Sequence, residues 1–82
     1  MREKQALAII EQVKKLGFHP YLINRGNTHA VGVSAEHGDN AADYYGEYRG
    51  GDPWINPKLE RLAVGRKSYW EWQNPGAIAM WD

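Results

Sequence analysis

The chain has no cysteine. Disulfides and thiolate–metal centres are excluded as sources of stability, and a thiol nucleophile is excluded with them. There is no surplus of either charge: ten Lys and Arg balance ten Asp and Glu. The overall basic field that drives non-specific nucleic-acid binding is therefore absent. No apolar run approaches the roughly 20 residues of a membrane-spanning helix. The opening MREKQALAIIEQVKK is amphipathic rather than continuously apolar, so it does not read as a signal peptide. These absences fit a cytoplasmic protein with no membrane association. No GxGxxG or P-loop spacing occurs, and Ser34 and Ser68 lie in no recognisable nucleophile setting. The expectation is a protein without catalytic activity, cofactor or metal.

Aromatic side chains are abundant. Four Trp, five Tyr and one Phe stand in 82 residues. Each such ring buries roughly 150–250 Å², and a chain of this length builds only a small core. Residues 1–82 read as a single domain with more ring surface than its interior absorbs. The densest stretch is Tyr44 to Pro57, YYGEYRGGDPWINP, which follows neither a helical nor a strand period. Charge is uneven there. From Glu36 to Asn56, the acids Glu36, Asp39, Asp43, Glu47 and Asp52 face one base, Arg49.

Around that stretch the chain reads as ordinary scaffold. Ala6, Ile9, Ile10, Val13 and Leu16 recur at helical steps, predicting a helix over Glu3–Leu16. Gly17 stops it in a left-handed conformation, with Phe18 folding back on Val13. Phe18 to Asn24 predicts a strand with Pro20 near its start or on a sheet edge. After the turn formers Asn24 to Asn27, alternation over His29 to Ala35 predicts its hairpin partner. The small residues Ala30, Gly32 and Ser34 mark the face on which the first helix would lie close. Asp39 or Asn40 is positioned to cap a short helix over Ala41 to Tyr45, leading to an exposed loop with Tyr48, Arg49 and Trp54.

Asn56-Pro57 opens a second helix, with Leu59, Leu62 and Ala63 inside and Gly65 as its stop. Tyr69 to Trp72 alternates, placing Trp70 and Trp72 on one face. Asn74-Pro75-Gly76 is a turn, and Ala77 to Trp81 returns as the last strand. The fold class is α+β: an antiparallel sheet of about four strands packed against two main helices, in the order αββ(α)αββ.

Candidate chemistry is thin. His37, Asp39 and Asp43 offer an imidazole and two carboxylates, but their spacing matches no tight metal motif. His19 and His29 become neighbours only if strand pairing brings them together. The stronger expectation is recognition. Tyr, Trp and Arg are the side chains that most often anchor interfaces. Tyr48, Arg49 and Trp54 are the candidate loop anchors, ringed by acids that steer a basic protein partner. Trp70, Trp72 and Trp81 are the candidates for a dimer face, with self-association edge to edge if Trp81 lies on a sheet edge, or face to face. The alternative is single-stranded nucleic-acid binding, with Tyr69 and Trp70 stacking on bases and Arg66 contacting phosphate.

Overall fold

A computed structural model of the chain describes residues 1–45 and 53–82. Helix α1 (Glu3–Lys15) leads into the hairpin β1 (His19–Arg25) and β2 (Thr28–Ser34). Two short strands follow, β3 (Ala42–Asp43) and β4 (Trp54–Ile55). Helix α2 (Pro57–Val64) and a second hairpin, β5 (Tyr69–Asn74) and β6 (Ala77–Trp81), complete the described elements. Four strands form one antiparallel sheet in the order β1-β2-β6-β5, and β3 and β4 pair separately. Among the described residues, no helix is long and apolar enough to cross a membrane.

Both helices end in the same way. At α1, Phe18 N–H donates to Val13 O at 3.3 Å and Gly17 N–H to Lys14 O at 2.9 Å. Gly17 takes the left-handed conformation (φ 92°) that this Schellman closure requires. At α2, Ser68 N–H donates to Ala63 O at 2.8 Å and Lys67 N–H to Val64 O at 3.2 Å. The left-handed residue here is Lys67 (φ 57°), whereas Gly65, the expected stop, is right-handed (φ −62°). The helix ends at Val64 with Gly65 as its C-cap, as expected, and the left-handed turn follows at Lys67 because the closing carbonyls belong to Ala63 and Val64. The start of α2 is as expected: the Asn56 side chain accepts from Lys58 N–H at 2.9 Å, and Pro57 occupies the first turn.

The two helix-plus-hairpin units meet through their second strands. Val31 pairs with Met80, Gly32 with Ala79 and Val33 with Ile78. Val31, Val33, Ile78 and Met80 are fully buried and form the centre of the core. Ala6, Ile9, Ile10 and Val13 of α1 and Leu59 and Ala63 of α2 pack on them, with Phe18 and Trp70. The helices thus choose the branched face of β2, not the small-residue face. Branched side chains fill the space beneath a helix, while alanine and glycine there leave voids.

The expected helix over Ala41 to Tyr45 is absent. Asp39 Oδ1 accepts from Ala41 N–H at 3.1 Å, closing a local turn, and Asn40 is left-handed (φ 61°). Asn56 then holds the segment: its N–H donates to Ala41 O at 2.9 Å and its side-chain amide to Asn40 O at 3.0 Å. Ala42 pairs with Ile55 and Asp43 with Trp54.

Candidate interaction surface

The side of the sheet turned away from the helices is set by pairing register. Residues opposite one another on paired strands point to the same face. Tyr21, Gly32, Ala79 and Glu71 therefore make one row straight across the four strands. The next row carries Ile23 and Ala30 from the first hairpin, and Trp81 and Tyr69 from the second. The row on the other side carries His19, Ser34, Ala77 and Asn74. The floor is small, made of Ala30, Gly32, Ala77 and Ala79, and these alanines stand apart from the main hydrophobic cluster. The rim is large. Tyr69 is 54% exposed and Tyr21 41% exposed. None of the described helices packs here.

The rim side chains lie across the floor. A side-chain carbon added at Gly32 would strike the Tyr21 ring, so glycine is what lets this ring lie flat over β2. The Arg25 guanidinium sits over the Trp81 ring, 4.7 Å from its centroid, in a cation–π contact. The Trp81 indole N–H is buried and finds no acceptor among the described residues. At the far end of β1, His19 Nδ1 lies 2.8 Å from Asp39 Oδ2, and the His37 ring stacks on His19 with centroids 3.9 Å apart. His19 thus joins His37 and Asp39. Asp43 sits in β3 instead, and no group of three or more His, Asp or Glu suited to a metal occurs among the described residues. His19 and His29 are not neighbours: register pairs His19 with Ser34 and His29 with Asn24.

The sequence candidates among the described residues each have a place in the fold. Trp70 is core, 9% exposed, with its indole N–H donating to Leu59 O at 2.7 Å. That bond takes up its polar group as well as its ring, so it offers nothing to a partner or a base. Trp72 is half-buried against the same core and meets Tyr44 edge-on at 5.2 Å. Tyr44 meets Tyr45 at 5.3 Å, and both tyrosines are exposed. Trp54 is half-buried in β4. Tyr48 and Arg49 lie outside the described residues. Trp81 is half-buried on β6, an inner strand, so it is not on a sheet edge. Arg66 donates to Gln12 Oε1 at 3.0 Å and borders a cleft of about 290 Å³ with Gln5, Ile9 and Asp82, away from the ring-lined face.

Tyr21 and Arg25 were not anticipated as surface determinants. Their signal was a strand rich in large residues, Tyr21 and Ile23, set against a partner whose facing positions are Gly32 and Ala30. Comparison with protein-family models, curated proteins and solved structures finds no match to this chain.

Proposed function

We propose that this chain is a non-enzymatic interaction module whose docking surface is the ring-rimmed open face of the sheet. The observation that carries the reading is the pair of exposed rings, Tyr21 and Tyr69, on a face that none of the described helices covers, with Trp81 half-buried beside them. Amphipathic rings laid over a floor of small residues suit a protein surface: rings bring area at low entropic cost, and their polar groups bond a partner. The Tyr44, Tyr45 and Trp54 side chains offer a separate aromatic group leading into the acidic segment, and a basic partner would engage there. The module works in the cytoplasm under this proposal.

Oxidative footprinting tests the docking face without knowledge of the partner. Tyr21, Tyr69 and Trp81 are expected to label strongly in dilute purified protein and weakly in an extract of the cells that make it. Equal labelling in both refutes the reading.

One observation favours a second reading. Arg25 over Trp81, beside Tyr69, is an arrangement suited to stacking single-stranded bases with a cation at hand. Glu71 in the middle row opposes it by repelling phosphate. Salt-sensitive retardation of single-stranded RNA or DNA, lost in Arg25→Ala, would favour this reading over protein docking.

A further inference from the structure

We propose that the line of rings Trp72, Tyr44 and Tyr45 receives an arginine side chain of a basic protein partner. This rests on reading these rings as the place where a basic partner engages, and it names the group they hold. The line runs outward from the core. Trp72 packs against the hydrophobic cluster, Tyr44 beside it is 40% exposed, and Tyr45 at the end is 66% exposed, the most exposed ring among the described residues. Tyr44 stands nearly perpendicular to both neighbours, at 79° to Trp72 and 88° to Tyr45. An edge-to-face pair uses an edge of one ring and a single face of the other. Whichever ring supplies the edge, Tyr45 keeps at least one face clear of Tyr44.

Charge selects a cation. The face of an aromatic ring is the negative pole of its quadrupole and attracts a cation within about 6 Å of the centroid. The Tyr44 and Tyr45 centroids lie 5.3 Å apart, so one group can be in range of both. Along the chain from Asp43 to Asp52, the acids Asp43, Glu47 and Asp52 stand against one base, Arg49. That local surplus attracts a cation and repels phosphate, so the rings suit a basic protein rather than the stacked bases of a nucleic acid.

Exposure selects arginine among the cations. With Tyr45 so open to water, the rings form a flank rather than an enclosed cage, and the occupant is not stripped of all its hydration. A guanidinium is planar and weakly hydrated: it lies flat on a ring face while its edge remains free to meet a carboxylate. A lysine ammonium is a compact, strongly hydrated point charge that gives up more water for the same contact. The chain already holds one pair of the arginine kind, Arg25 over the Trp81 ring at 4.7 Å from its centroid. Attraction at an exposed ring is modest and exposed charges are screened, so binding is weak and sensitive to salt.

Titration with a short Arg-Gly repeat peptide, followed by NMR at the tyrosine ring resonances, tests this at low salt. A Lys-Gly peptide of equal length is the control. The arginine peptide is expected to bind saturably, to shift the Tyr44 and Tyr45 rings, and to bind more tightly than the lysine peptide. Tyr45→Phe keeps the ring face and is expected to bind as wild type does. Tyr45→Leu keeps the bulk without the face and is expected to bind about two- to fivefold more weakly. Tyr45 is exposed enough for both variants to fold, and circular dichroism checks it. Tyr45→Leu that binds the arginine peptide as tightly as wild type overturns the proposal, and so does a lysine peptide that binds equally well. In either case, saturable binding of both peptides to wild type leaves the basic partner standing and refutes only the arginine on the rings. If neither peptide binds, the basic partner falls as well, while protection of Tyr21, Tyr69 and Trp81 in extract decides the sheet face separately.

Discussion

Replacing Trp70 by phenylalanine removes an indole N–H that donates to Leu59 O at 2.7 Å and empties part of a site that is 91% shielded from solvent, its residual exposure being 9%. The lost hydrogen bond is worth about 1 kcal/mol. The missing ring atoms leave a partly unfilled space between β5 and α2 that adds about 1–2 kcal/mol. Together these come to about 2–3 kcal/mol. At about 0.05–0.15 kcal/mol per residue, a chain of 82 residues has about 4–12 kcal/mol in all. Trp70→Phe therefore removes a large share without abolishing the fold, whereas Trp70→Ala, at about 3–5 kcal/mol, brings it near the limit. Tyr69 stands next to it on the same strand, turned to the open face and 54% exposed. Tyr69→Ala is expected to cost less than about 1 kcal/mol. Urea denaturation followed by far-UV circular dichroism measures the contrast. With a slope of about 1 kcal/mol per molar for so small a chain, Trp70→Phe lowers the midpoint by about 2–3 M and Tyr69→Ala by less than about 1 M. Equal shifts for the two would refute the assignment of faces, and with it the open interaction surface.

Two further outcomes follow from the helix ends. Lys67 holds a left-handed conformation (φ 57°) that costs a side chain about 1 kcal/mol, so Lys67→Gly should raise thermal stability, while Gly17→Ala at φ 92° should lower it by a similar amount; opposite signs from the two substitutions in calorimetry are the check. Asn56→Ala removes the acceptor for Lys58 N–H and the donor to Asn40 O, and is expected to cost about 1–2 kcal/mol and to loosen the β3–β4 pairing, read as faster amide exchange at Ala42 and Ile55.

Local patterns carried a good deal of this architecture. The apolar stripe of α1, the left-handed Gly17, the Asn56-Pro57 start and the alternation of Trp70 and Trp72 with Tyr69 are each set by neighbours within a few residues, and each is present. Where the local signal was shared by two structures, tertiary contacts decided between them. An Asp or Asn before Ala41 suits a helix cap and a closed turn equally, and the bonds from Asn56 to Asn40 and Ala41 favour the turn. Gly65 caps α2 as expected, while closure on Ala63 places the left-handed residue two positions later, at Lys67.

The sequence by itself determined which side chains share a face, because a strand's two-residue repeat and a helix's 3.6-residue repeat are properties of the backbone. It left open which face turns inward. Both faces of β2 are apolar, one branched and one small, and only the arrival of α1 on Val31 and Val33 made the Gly32 side the outer one. Strand order was likewise a long-range matter. The Gly32–Ala79 pairing joins residues from opposite ends of the chain, puts Trp81 on an inner strand, and gathers Tyr21, Trp81 and Tyr69 on one surface. Pairing of distant strands is governed by how the hairpins bury their branched faces together, and that energy exists only once the chain has folded.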